Sequence, residues 1–254
     1  MSDIQLYSIE RGTGEPLILL HGNGEESRYF ARQVRHFAKT RKVIAIDTRG
    51  HGQSPRGNAP FTIRQFSEDL YDFMEEKGID RADILGFSDG GNTALMFALQ
   101  YPQKVRKLIL NGANLYPSGM KLSIVLPIWA GYGAASFLAP VSQKAKKQKE
   151  LLGLMVKDPY IRPEDLSRIP SKTLVLAGKN DMIRHRHSML IAKSIPGAKF
   201  VCLKGDHFIA AKNPETFNRV VERFLSDGKM KQERKRYGTF LFCKTRTDCM
   251  ERRR

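Results

Sequence analysis

The sequence predicts an α/β fold: a mostly parallel central sheet of about eight strands with helices on both faces, and a small helical cap inserted after the sixth strand. Short apolar runs alternate with amphipathic stretches along most of the chain, and glycine-containing turns separate many of these units. A length of 254 residues with 41% hydrophobic content suits one large domain with a sizeable core better than two equal ones.

Taken in order, the apolar runs at 4–9, 17–20, 43–47, 83–86, 105–110, 173–177 and 200–203 are the strand candidates. Between and after them, apolar residues recur at three and four spacing over 27–38, 62–77, 90–101, 185–194 and 214–225, which predicts helices there. No internal repeat is present. The segment 114–170 is longer than a simple crossover needs and reads as the cap.

Within that cap, residues 122–143 carry no charge, a length that could span a bilayer. A crossing there would place the two halves of one sheet on opposite sides of a membrane, and Pro127, Gly131, Gly133 and Pro140 interrupt the run. An apolar cap over the site is therefore expected, with shallow membrane contact as the secondary reading. The domain spans 1–228 and a basic tail occupies 229–254, which is expected to be disordered or loosely docked.

The formal net charge is +17. Residues 229–254 hold ten Lys or Arg against three Asp or Glu, so +7 of the total lies in the tail. The rest is spread over helix faces and a cluster at Lys144, Lys146, Lys147 and Lys149, without the interleaved aromatics of single-strand nucleic-acid grooves. No specific nucleic-acid partner is expected; the cap and tail leave weak membrane-surface contact as the alternative. Cys202, Cys243 and Cys249 are too few for a disulfide framework, and no basic and then apolar leader opens the chain. The expected location is the cytoplasm.

Chemistry concentrates at Gly86-Phe87-Ser88-Asp89-Gly90-Gly91, between an apolar strand and a helical run. A serine in G-x-S-x-G at such a junction sits on a sharp turn that lifts its hydroxyl clear of the backbone and demands small neighbours. A nucleophilic serine needs a base, and the base needs an orienting acid. Asp181 follows the strand at 173–177 and His207 follows the strand at 200–203, so all three loops leave the same edge of a parallel sheet. His21, His36, His51, His185 and His187 fit the role of base less well, and Asp206 adjoins the histidine too closely to orient it. The loop His21-Gly22-Asn23-Gly24 can offer one backbone N–H to an oxyanion, and the amide of Asp89 another.

Together these residues, with Asp47-Thr48-Arg49-Gly50-His51-Gly52-Gln53-Ser54 and Gly205-Asp206-His207-Phe208, resemble the α/β-hydrolase superfamily over about residues 4–226. The order Ser, Asp, His is that family's order. The resemblance implies that the Asn23 and Asp89 amides form the oxyanion hole and that 47–54 is a structural loop near the site. The stretch Ser88-Asp89-Gly90-Gly91 is similar to the elbow of members related to valacyclovir hydrolase.

The expected function is hydrolysis of a small carboxylic ester or thioester with an apolar portion, through an acyl-enzyme, with no metal or organic cofactor. The same triad supports lactone, amide or C–C bond hydrolysis and perhydrolysis, and a non-catalytic ligand receptor on this fold is the rival from a different class. The apolar residues Leu122, Ile124, Val125, Leu126, Ile128, Trp129 and Phe137 are expected either to line the pocket or to pack the cap on the core.

Overall fold

The computed structural model of the chain describes residues 2–226; the basic tail lies outside the described residues. Its sheet has seven strands: β1 (Ser8–Arg11), β2 (Pro16–Leu20), β3 (Lys42–Ile46), β4 (Ala82–Phe87), β5 (Val105–Asn111), β6 (Lys172–Gly178) and β7 (Lys199–Leu203). They are ordered β1-β3-β2-β4-β5-β6-β7, and only β1 runs antiparallel to its neighbour.

Side chains along β2 alternate between two cores. Ile18 and Leu20 face helices α2 (Ile63–Glu76), α3 (Asp89–Gln100) and α6 (His185–Ser194), and Leu17 and Leu19 face α1 (Ala31–Phe37) and α7 (Pro214–Leu225). Burial on both faces explains why all six residues of β4 are buried and why the strands read as unbroken apolar runs.

The seven strands are close to the expected eight, but the cap follows the fifth strand, not the sixth. Only one strand precedes β2, because β1 begins at Ser8 and Gly12 and Gly14, both at positive φ, turn the chain directly into β2. The expected strand at 4–9 gives way to a tether: Asp3 pairs with Arg49, and Tyr7 N–H donates to Ser54 Oγ at 2.8 Å. The expected helix at 27–38 begins as a 3-10 turn, Ser27–Phe30, before α1.

The cap comprises α4 (Leu122–Leu138) and α5 (Gln143–Lys157), packed on each other. Ser142 caps α5 by accepting from Ala145 N–H at 3.2 Å. Ile124, Val125 and Ile128 are half-buried, whereas Leu122, Leu126, Trp129 and Phe137 point into solvent, so these four neither line a pocket nor pack the cap on the core. No helix among the described residues is long and apolar enough to cross a membrane.

Candidate active site

Ser88 joins β4 to α3 at φ 53°, ψ −119°, and it is the one described non-glycine residue at positive φ. Such a conformation costs on the order of 1–3 kcal/mol and persists only where the surroundings impose it. Here they do. A Cβ on Gly86 would lie 2.2 Å from the Gly90 carbonyl oxygen, and one on Gly90 would lie 2.1 Å from that of Leu20. The two glycines let the turn close and let α3 press its N-terminus against the end of β2.

The loops after β6 and β7 bring the other two residues to Ser88. His207 Nε2 stands 2.9 Å from Ser88 Oγ, and His207 Nδ1 stands 2.6 Å from Asp181 Oδ1. Asp181 is buried, and its carboxylate also accepts from Gly178 N–H at 3.2 Å and Ile183 N–H at 3.0 Å. Held that way, Asp181 accepts a hydrogen bond from His207 Nδ1–H, which leaves Nε2 as an acceptor facing Ser88. The imidazole also packs on Phe87, with ring centroids 4.8 Å apart. Asp206 turns elsewhere, to Phe208 N–H and Lys212.

The remaining histidines have other partners. His21 donates from Nδ1 to the Gly22 carbonyl at 2.7 Å and accepts from Thr48 N–H at Nε2, 3.0 Å away; burial lowers its pKa to about 4. A neutral His21 therefore ties the Asn23 loop to the 47–54 loop. His187, also lowered to about 4 by burial, accepts from Leu115 N–H at 2.9 Å. His36 sits at the surface near Glu222, and His185 meets Phe200 edge-on.

The Asn23 amide and the Asp89 amide lie on the two backbone segments that pack together here, and Asp89 N–H, as the first of α3, has no acceptor within the helix. The Asp89 carboxyl is buried, which pushes its pKa up to about 6 against the pull of His207 and of the Asn92 and Asn23 side chains; one oxygen accepts from Asn92 at 3.1 Å. Asn23 reaches the cap, donating from Nδ2 to the Leu151 carbonyl at 2.7 Å. Beside it, Arg56 grips Glu150 of α5 through two bonds of 3.0 and 2.7 Å.

Two residues of this site were not among the expected ones. Gly112, just past β5 at φ +66°, lies so close to His207 that a Cβ there would be 2.6 Å from Cε1. The Asn111-Gly112 pair, a turn dipeptide at a strand's end, carried that information. Glu25 accepts from Gly22 N–H at 3.3 Å, and burial raises its pKa from 4.5 to about 7, against the pull of Gly22 N–H and His207. Nothing in Gly24-Glu25-Glu26 separates it from a surface acid.

An acid whose pKa is raised on folding holds its proton more tightly in the folded state. Its contribution to stability is full below about 4.5 and is lost as pH rises through about 7. Glu25→Gln keeps an acceptor for Gly22 N–H without that loss. The variant is expected to melt higher than the parent at pH about 8 and to match it at pH about 4, as thermal denaturation across pH would read.

A family model described as alpha/beta hydrolase fold matches residues 15–139. 2-Hydroxymuconate semialdehyde hydrolase of Pseudomonas putida is 27% identical over 86% of this chain and 89% of its own length. Serine hydrolase BPHL of Homo sapiens is also 27% identical, over 89% of this chain and 84% of that protein. Among solved structures, Est816, described as an N-acyl homoserine lactone degrading enzyme, superposes with a TM-score of 0.72 at 26% identity, covering 87% of this chain and 97% of that one. The enol-lactonase from Burkholderia xenovorans LB400 shares the fold, with a TM-score of 0.74 at 21% identity over 88% and 97% of the two chains. The family model spans β2 to β5 with the Ser88 elbow, and the relatives carry the likeness over most of the chain: it has the alpha/beta hydrolase fold and is similar to hydrolases.

Proposed function

We propose that the chain is a serine hydrolase that cleaves a small carboxylic ester or thioester with an apolar portion through an acyl-enzyme. The observation that carries this is the 2.9 Å approach of His207 Nε2 to a Ser88 hydroxyl held on a strained turn, with Asp181 2.6 Å behind the imidazole.

Ser88 Oγ attacks the substrate carbonyl as His207 takes its proton. The oxyanion rests on the N–H groups of Asn23 and Asp89. His207 returns the proton to the departing alcohol or thiol as the carbonyl re-forms, leaving acyl-Ser88. It then removes a proton from water, which attacks the acyl carbon; as the intermediate collapses, His207 returns that proton to the departing Ser88 Oγ and the acid is released.

Fluorophosphonate labelling and a panel of p-nitrophenyl esters of increasing acyl length test the reading. Labelling confined to Ser88, with turnover that peaks at one acyl length, is expected. No labelling and no turnover would move the assignment to a ligand receptor. A second reading, lactone or C–C bond hydrolysis by the same residues, draws on what the relatives are named for. Turnover of a homoserine lactone or a meta-cleavage product well above that of every ester would favour it.

The geometry behind His207 gives a further expectation. Gly112→Ala would place a methyl 2.6 Å from His207 Cε1 at a φ of +66°, so the ring must move away from Ser88. A displacement of that kind is expected to cut kcat about a hundredfold, read by the same ester assay, while the fold survives.

A further inference from the structure

We propose that the outward face of cap helix α4 seats in the headgroup region of an anionic phospholipid bilayer and holds the enzyme at a lipid surface. Residues 122, 126, 129, 133 and 137 advance by three or four positions and so form one stripe along the helix. Within it Leu122, Leu126, Trp129 and Phe137 are 61, 61, 57 and 84% exposed, and Val141, just beyond the helix, extends the stripe at 85%. From Leu122 to Phe137 the stripe runs roughly 22 Å. Scattered apolar side chains are ordinary on a soluble surface, but this row is contiguous. Of the exposed positions flanking it, Pro127, Ala130 and Ala134 carry no polar side chain, and Ser123, near the Lys121 end, carries a small hydroxyl.

Helix α4 is too short to cross a membrane, and both its ends return to one domain, so it would lie in the plane of the interface. Charge identifies the surface it suits. Residues 117–149 contain five lysines and no Asp or Glu. Lys121 stands at the start of the stripe, and the exposed Lys144, Lys146 and Lys147 follow its far end at the beginning of α5. Lysines at both ends of an apolar stripe complement anionic headgroups, each contributing roughly fivefold to partitioning. Pairing with a second copy would instead bring like-charged clusters together without neutralising them. The opposite side of the cap bonds the active-site region, through Asn23 to Leu151 and Arg56 to Glu150, so the lipid contact and the site would share one cap.

Trp129 is the single tryptophan of the chain, so the emission of the full-length protein reports α4 alone. With phosphatidylcholine vesicles containing phosphatidylglycerol, a blue shift and quenching by brominated acyl chains are expected, and with phosphatidylcholine alone neither. Replacing Lys144, Lys146 and Lys147 by Gln should weaken partitioning on the order of a hundredfold. Leu126→Ser with Phe137→Ser should weaken it at least about tenfold. Both variants should keep the parent's melting temperature.

Unchanged emission at every phosphatidylglycerol content overturns the proposal, including the case where the protein sediments with vesicles but Trp129 escapes quenching, which would assign binding to the tail. Emission already blue-shifted without lipid also overturns it: a dimer mass in ultracentrifugation would make a second copy the occupant, and a monomer mass a segment of this chain.

Discussion

Ser88→Ala is expected to lower kcat/KM toward the best ester by on the order of 10⁴-fold or more, with folding intact. In the proposed mechanism the hydroxyl supplies the bond-forming atom, and no other nucleophile stands beside His207 Nε2 in the described hydrogen-bond network. His207→Ala should cost a similar factor, and the double variant little more than either alone, because nucleophile and base act as a unit. Asp181→Asn should retain the buried geometry while losing the charge that stabilises the imidazolium, with a loss on the order of 10⁴ in kcat. Full additivity of the Ser88 and His207 effects in kcat would contradict the shared mechanism.

The second large effect concerns stability. Arg49 is wholly buried and meets Asp69 through two bonds, Nε to Oδ2 at 2.7 Å and Nη2 to Oδ1 at 2.6 Å. It also reaches Asp3 and the Arg56 carbonyl, so it ties the amino-terminal segment, helix α2 and the 47–54 loop together. Asp69→Ala leaves the guanidinium buried with only the partly exposed Asp3 as its acid partner. A loss of about 3–5 kcal/mol is expected, and a melting temperature lower by roughly 10 °C. Asp69→Leu combined with Arg49→Met removes both charges and should recover most of that loss in denaturant titration. Failure to recover would show that packing, not the uncompensated charge, dominates.

Much of the fold was legible because burial on both faces leaves a plain trace: β2 and β4 to β7 all fall on apolar runs. The amino-terminal edge was misread because Ile4, Leu6 and Ile9 satisfy an apolar pattern, while the tether from Asp3 to Arg49 and from Tyr7 to Ser54 depends on residues about 46 positions away. The 3-10 start at Ser27 has a similar origin, since Ser27 N–H is taken by Asp47 Oδ1 at 2.6 Å.

The sequence by itself determined the alternating fold class and which residues could form the site, because an elbow needs glycines beside its serine and parallel strands deliver their following loops to one edge. Only the tertiary structure decided the rest. That Gly112 lies against His207, that half-buried Glu25 lies within reach of the His207 charge, and that the apolar row of α4 faces outward all depend on contacts between residues far apart in the chain. Local pattern marks a side chain as apolar or acidic, but what surrounds it, and hence its pKa, its strain or its exposure, is set by packing.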